Sequence, residues 1–470
     1  MCETALAGLA GVPARALPSP LPMRRFVLGS GLALALASCV PSTQELRAPV
    51  DHLVVARLGA PLGTQAAPGI DALLAKPLDA AAAIRIALAN SPRLAAAFDE
   101  LDIAAGDLAA ALGLGPLTID AKLRFGGATT EYEVDAIQNV LGLVTGHGRR
   151  AAASAELAAV RAQAAAAALR LAARVEIAFD DLLAAQQDAE LRRTAFDAAD
   201  AAASLRERMH AAGNTTDLAQ ARDRDAREQA RLELGRAEAA IAGRREALNG
   251  LLGLSGARTA WTATGALADV PATPPAVDAL EPTAVAASLE LTAGRERRNA
   301  ADRRAAGERL RTVLPELGVG VAIADDGRDT TIGPALRIGI PLFDPRTGER
   351  ARANAVVRRE DHALAAQTVE LRAAARAAAS AARATYQEAH HLHDVVLPLR
   401  QQILDETLKH YNAMDADLFA LIVARRELVD GAHQYLDALR RHWNAMAEVT
   451  ALTRGVMLEP APPAPPEDNR

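Results

Sequence analysis

From Leu117 to Phe125 apolar and polar side chains alternate. Ile119, Ala121, Leu123 and Phe125 share one face, and Thr118, Asp120, Lys122 and Arg124 the other. A period of two predicts a strand with an apolar and a charged face. A soluble sheet gives this pattern, and so does a membrane barrel with a wet interior. Glu131–Ala136 repeats it across a short loop, Gly126–Thr130, with Tyr132, Val134 and Ala136 set against Glu131, Glu133 and Asp135. A third strand is expected where Leu317, Val319, Val321 and Ile323 alternate with Gly318, Gly320, Ala322 and Ala324. A turn at Asp325-Asp326-Gly327 leads to a fourth, Ile332–Ile340. These last two are less clearly two-faced.

The remaining pattern is helical. Leu78-Asp79 opens a helix through Ala89, and Pro92 starts another that runs to about Leu112. After Gly148 a helical run continues to Gly213, about 64 residues and about 95 Å long. Leu171, Val175, Phe179 and Leu182 trace its packed stripe. Asn214 or Thr215 caps the next helix, Thr216–Leu252. In the second half Pro282–Leu314 reads as one helix, and a long helix follows the fourth strand to Tyr411. Pro398 lies inside that helix and is expected to kink it. The final helix, Asp417–Arg454, carries Leu421, Leu428 and Tyr435 at seven-residue intervals, as in a coiled coil.

Composition fits long packed helices. The chain has 470 residues, half of them apolar but only 3% aromatic, and alanine dominates. Alanine is the best helix former, and its small side chain lets helices approach closely. A net charge of −6, spread along the chain, gives no nucleic-acid signature. No apolar run reaches the length of a membrane-spanning helix. Neither a Ser-His-Asp set nor a carboxylate pair is suggested by spacing, so no enzymatic activity and no cofactor are expected. Gly318-x-Gly320 sits within a strand and is no nucleotide loop. His390, His391 and His393 lack the i, i+4 spacing of a helical metal pair; they read as solvated helix surface, and no metal site is expected.

The N-terminal segment adds an address. From Met23, the expected start, Arg24 and Arg25 precede an apolar run, Phe26–Ala37, as in a secretory signal. Leu36-Ala37-Ser38-Cys39 resembles the bacterial lipobox, which implies cleavage before Cys39 and its acylation, palmitate included. Val40 follows, not the aspartate that often retains lipoproteins in the inner membrane, so the resemblance points to the outer membrane. Residues 1–38 are then extension and signal peptide, and 39–77, punctuated by Pro and Gly, an extended arm.

The plan of helix, two strands and long helical hairpin occurs twice. Gly148-Arg149-Arg150-Ala151 is matched by Gly348-Glu349-Arg350-Ala351, and Asp217-Leu218 by Asp417-Leu418, both at an offset of 200. Equal offsets favour an internal duplication. The expected layout is a first repeat at 78–269, a linker at 270–280, a second repeat at 281–458 and a disordered Pro-rich tail at 459–470.

This ordered set resembles the TolC family of outer-membrane efflux channels over about Leu78–Gly455. The residues that carry the resemblance are Pro334-x-Leu336-x-Ile338-x-Ile340-Pro341-Leu342-Phe343-Asp344, the small residues Gly348, Ala351 and Ala353, Leu397-Pro398 upstream of Tyr411-Asn412-Ala413, and Gly213-x-x-x-Asp217-Leu218. It implies a mainly α fold with a small membrane β-barrel. Long antiparallel coiled-coil hairpins would form a periplasmic tunnel, and four strands per chain would be shared in a homotrimer. It also implies partners: a periplasmic adaptor, an inner-membrane pump and outer-membrane lipid. The cargo expected is small molecules or metal ions. The competing reading is a periplasmic coiled-coil scaffold or adaptor lipoprotein without a pore.

Within that resemblance the hairpin tips, Ala212–Thr216 and Asn412–Asp417, are where an adaptor would dock, through Gly213, Asn214, Thr215, Ala413 and Met414. The family's entrance carries two aspartates one turn apart just past the second tip. The corresponding positions here are near Ala420 and Val423, so those acidic rings are expected to be missing. Two substitutes remain open. Asp415 and Asp417 form an acidic mouth, or Leu418, Leu421 and Ile422 an apolar constriction. Asp417 is equally a candidate helix N-cap, the place Asp217 holds in the other hairpin.

Overall fold

The computed structural model describes residues 43–59, 67–113, 117–126, 129–313, 316–325, 329–339 and 346–458. The signal segment with Cys39, the tail from 459, and Ile340–Pro345 of the strand-to-helix joint lie outside them. In chain order the helices are α1 Thr43–Leu58, α2 Ala67–Leu74, α3 Ala80–Asn90, α4 Pro92–Leu112, α5 Leu141–Ala211, α6 Asp217–Leu252, α7 Leu280–Ala287, α8 Leu289–Val313, α9 Thr347–His391, α10 Leu397–Asn412 and α11 Leu418–Thr453. The strands are β1 Leu117–Gly126, β2 Thr129–Asn139, β3 Glu316–Asp325 and β4 Thr330–Gly339.

Helix α5, 71 residues long, spans about 105 Å at the usual rise. It packs against α1, α3, α4, α6, α8 and α11, so most of the bundle is assembled around it. Its inward positions are largely alanine: Ala159, Ala165, Ala168 and Ala172 are wholly buried. Larger side chains fill the wider gaps. Val175, Phe179 and Leu182 of α5 meet Ile86 of α3 and Leu248 and Leu252 of α6. Trp261 closes that cluster, and its buried indole N–H is satisfied by Asn249 Oδ1 at 2.8 Å. A second core joins α7, α8, α9 and α11 through Leu280, Leu291, Leu371 and Leu452.

Three expectations need correction. The arm at 39–77 is not extended where it is described. Leu46, Val50 and Val54 recur every four residues, bury against α4 and α5, and make α1 a helix despite Pro49 inside it. Arg57 then fastens α1 to the second half, donating to Ala287 O at 2.8 Å and Arg454 O at 2.7 Å. The helix expected over Pro282–Leu314 is two helices. Ser288 leaves helical geometry and its Oγ accepts from Leu291 N at 3.1 Å, a cap that ends α7 and starts α8. The irregularity expected at Pro398 begins upstream of it. A π-turn at Leu392–Val396 precedes it, in which Leu397 N donates to Leu392 O, and Pro398 falls in the first turn of α10. The proline's missing N–H thus falls where the π-turn has already interrupted the regular i to i−4 ladder.

The end of the first repeat and the start of the linker lie against the bundle. Trp443 Nε1 donates to Ala268 O at 2.7 Å, Tyr435 Oη donates to Asp269 Oδ1 at 3.2 Å, and Val270 N donates to Tyr435 Oη at 3.4 Å.

The four strands form one antiparallel sheet in the order β1-β2-β3-β4. β1 and β2 both run closer to their turn than the expected loop Gly126–Thr130 allows, pairing to Gly126↔Thr129. Among the described residues no strand pairs with the outer edge of β1 or of β4.

Candidate functional site

Register determines the two faces of the sheet. Ile119 opposes Ala136, Ala136 opposes Val321, and Val321 opposes Pro334. Leu123 opposes Tyr132, Val134 opposes Ile323, Ile323 opposes Ile332, and Val319 opposes Leu336. All four strands therefore contribute to one apolar face. That face is uncovered: Ile119, Leu123, Phe125, Ile332, Leu336 and Ile338 are all exposed, Phe125 to 81%. Exposure of a contiguous apolar surface of this kind marks contact with lipid or protein.

The opposite face is polar and concave. Lys122 bridges Glu133 at 3.3 Å and Asp135 at 3.7 Å. Arg337 of β4 reaches Asp120 of β1 at 2.8 Å, although two strands lie between them. A flat sheet would hold those strands about 14 Å apart; the long arginine side chain spans most of that distance, and the sheet curls toward its polar side, bringing the unpaired β2 and β4 near each other. Glycine permits it. A Cβ on Gly320 would sit 2.0 Å from Ala136 O, and one on Gly318 would lie 2.6 Å from Ile137 Cγ2. The polar ends of this trough enclose a cleft lined by Lys122, Arg124, Glu131, Glu133, Asp325 and Asp329.

Sequence reasoning found both faces of β1 and β2, separated the two alternating sets of β3 without assigning its small set to a polar face, and did not divide β4. Gly318, Gly320, Ala322 and Ala324 lie on the polar face, and a hydropathy reading does not distinguish such small residues from apolar ones. The signal was the bulk of the alternate residues, large on one face and small on the other.

At the far end of the long helices the two tips share one backbone geometry. Gly213 has φ 75°; its N–H bonds His210 O at 2.9 Å, and Asn214 N bonds Met209 O at 2.8 Å. Met414 has φ 61°; its N–H bonds Tyr411 O at 3.0 Å, and Asp415 N bonds His410 O at 2.9 Å. Both are Schellman turns. The helices after them start at Thr216, whose Oγ1 accepts from Ala219 N, and at Asp417, whose Oδ1 accepts from Ala420 N at 2.8 Å. Asp417 is thus an N-cap. Asp217 is not its counterpart, as it lies one residue inside α6 and binds His210 Nε2 at 2.6 Å. Thr215 is held by Arg206 at 3.2 Å, and Asp415 by His410 Nδ1 at 2.8 Å.

The expected adaptor-docking residues Gly213, Asn214, Thr215, Ala413 and Met414 therefore fall on the two tips. Asp415 and Asp417 are exposed at the second, while Leu421 and Ile422 are half-buried within the chain. The Leu418 side chain lies outside the described set. Phe419 and Val423, one turn apart, are the exposed apolar pair just beyond the second tip. Phe419 was not anticipated as part of an entrance, although an aromatic residue in so aromatic-poor a chain was a usable signal.

The helical body carries buried charge near its middle. Asp181 accepts from Arg244 at 2.9 Å and from Arg440 and Asn444 at 3.1 Å each, joining α5, α6 and α11. Its neighbour Asp180 is pushed up to about 6, by burial first and then by Glu176 and Asp181. Two histidines, His390 before the π-turn and His393 within it, face Asp394. His390 Nδ1 lies 3.1 Å from it and His393 Nδ1 2.5 Å, and the hydrogen bond from His393 holds that carboxyl below its usual range. Among the described residues no group of three or more metal-ligand side chains is assembled, and no helix is long and apolar enough to cross a membrane.

No family model matches the sequence, and no curated protein matches it. Solved structures do match. The outer membrane protein VceC of Vibrio cholerae superposes with a TM-score of 0.66 at 18% identity, over 81% of this chain and 97% of that one. The CmeC outer membrane channel of Campylobacter jejuni gives 0.67 at 14% identity, over 80% and 85%. The open state of the MtrE outer membrane channel of Neisseria gonorrhoeae gives 0.65 at 15% identity, over 80% and 89%. The chain has the fold of these outer-membrane channels, the TolC-type fold that its strands and paired long hairpins resemble.

Proposed function

We propose that the protein is the outer-membrane channel of a tripartite efflux system. It conducts small molecules or metal ions delivered by a periplasmic adaptor and an inner-membrane pump, and performs no chemistry on them. The observation that carries this reading is the sheet: an uncovered apolar face across all four strands, backed by a charged concave face, at one end of helices about 105 Å long. Open sheet edges are not tolerated in lipid, and four strands are too few to close a barrel around a water-filled lumen. Three copies supply twelve strands, so a homotrimer removes the edges and turns the charged faces inward. A coiled-coil scaffold or adaptor without a pore gives no reason for the apolar face.

The finer elements of the proposal follow. Cys39 carries the lipid anchor in the outer membrane. Residues 78–269 and 281–458 are duplicated halves, supported by the matching Schellman turns and caps. The tips meet the adaptor. The entrance is ringed by Asp415 and Asp417, or by an apolar set made of Leu418, Leu421 and Ile422 with Phe419 and Val423. The deciding experiment is conductance in planar bilayers of the purified, detergent-extracted protein. Discrete single-channel steps from a species three chains in mass are expected. A monomer that adds no conductance would sink the proposal.

A further inference from the structure

We infer that Asp120 and Arg337 form the seam between neighbouring copies of this chain, exchanging the contact they make within one chain for the same contact between two. The inference rests on the homotrimer reading and fixes which edges meet and in which register. Three features of the sheet carry it. First, β1 and β4 are its two open edges, so in a ring of copies β4 of one chain meets β1 of the next, antiparallel. Second, the Arg337–Asp120 contact at 2.8 Å spans those same two edges across the concave face. A wider barrel, in which each chain supplies only part of the circumference, flattens each four-stranded segment. The two edges of one chain then separate toward about 14 Å, the limit of what the two side chains span together, and the contact within the chain is weakened. Lys122 is engaged by Glu133 and Asp135, and Glu316, 3.9 Å from Arg337, stays with it in its own chain.

Third, the register in which Asp120 opposes Arg337 also aligns the apolar faces. It sets Ile119 against Ile338, Ala121 against Leu336, Leu123 against Pro334 and Phe125 against Ile332, all large or apolar side chains of the uncovered face. A slip of one residue would turn one strand's apolar set to the wet side. A slip of two would leave Asp120 opposite Ala335 or Gly339, with no cation. Charge pairing and face matching therefore select the same register.

Cross-linking in the assembled protein reads this directly. One chain carries Asp120→Cys and a second, differently tagged, carries Arg337→Cys; the two are co-expressed and oxidised in outer-membrane preparations. A covalent dimer bearing both tags is expected. Thr118→Cys or Lys122→Cys in place of Asp120→Cys should reduce its yield severalfold. Each single variant expressed alone should give no dimer through these positions. As a second measure, Arg337→Asp should lower the heat-modifiable trimer at least about tenfold, and adding Asp120→Arg should restore it. If the trimer forms but the mixed dimer does not, or if it forms equally at 118 or 122, the seam is wrong while the trimer stands. If no trimer forms in the unaltered chain and the doubly substituted chain closes its disulfide within itself, the homotrimer reading fails together with the seam.

Discussion

Met414 occupies the left-handed region at φ 61°, with its side chain 96% exposed. The other tip fills the same place with Gly213, for which that geometry carries no steric cost. A non-glycine residue held there stores about 1 kcal/mol or more, and a fully exposed side chain recovers nothing by packing within the chain. Met414→Gly should therefore stabilise the second hairpin by about 1 kcal/mol, seen as a raised melting temperature. If the side chain is retained for the adaptor, the same substitution should weaken co-purification of the pump complex. A variant that melts unchanged would show that the turn is unstrained. Asp417 is a more constrained case. Its N-cap bond to Ala420 means that truncation to alanine would fray α11 and confuse any test of its charge. Asn keeps the capping acceptor and removes the charge. With Asp415→Asn plus Asp417→Asn, an acidic mouth predicts reduced cation preference in reversal-potential measurements at unchanged stability. Unaltered selectivity would move the constriction to the apolar side chains, Phe419 and Val423 first.

Among the elements, α5 shows how a helix of this length stays in place. Alanine faces bring neighbours close, and ionic contacts at Asp181 tie it to α6 and α11. Asp180 works against that arrangement at neutral pH. Its folded pKa of about 6 lies above the unfolded value, so the folded protein holds the proton more tightly. Stability from this group is complete at low pH and is lost as pH rises from about 4 through about 6. Discounted because the carboxyl is partly solvated, the shift corresponds to about 1–2 kcal/mol of stabilisation by Asp180→Asn at pH 8, with no gain at pH 4. Equal gains at both would exclude ionisation as the cause. The elements also show what was legible in the sequence. Leu171, Val175, Phe179 and Leu182 gave α5 its face because four large residues stand out in an alanine run. The same spacing at Leu46, Val50 and Val54 was obscured by Pro49 and the glycines after it; Pro49 lies in the helix interior, where it removes a hydrogen bond, and burial of that apolar face offsets the loss. Ser288 and the π-turn were not read from the sequence: a serine is also tolerated within a helix, so its role as a cap is seen only from its bond to Leu291 N, and a proline does not by itself say where upstream the ladder breaks. The tips were located by Gly213 and the Asp-Leu pairs, but the exchange of Asp217 and Thr216 in the capping role was not. That depends on which of two adjacent oxygens reaches the free N–H, and both are good caps.

At the scale of the whole molecule, the two faces of the sheet make opposite demands on a substitution. Strands of 10 or 11 residues tilted as in membrane barrels present an apolar band about 25 Å tall. Leu123 lies well inside β1, on the uncovered face. Leu123→Arg places a cation in that band, where it costs about 2–4 kcal/mol near the bilayer midplane. Ala322 lies in the middle of β3 on the concave side, with its face toward Asp135 and Gly333. Ala322→Arg therefore adds the same charge on the wet side, where water and the acidic row of Asp120, Glu133 and Asp135 solvate it. Leu123→Arg should reduce the yield of inserted, heat-modifiable protein in lipid vesicles by more than tenfold. Ala322→Arg should insert normally and change conductance instead. A soluble sheet with one face covered by a protein partner predicts a different pair of results. In that case both variants would remain in solution, and Leu123→Arg would abolish partner binding without affecting vesicles. The two substitutions together thus separate a barrel wall from a docking surface, which apolar exposure alone does not.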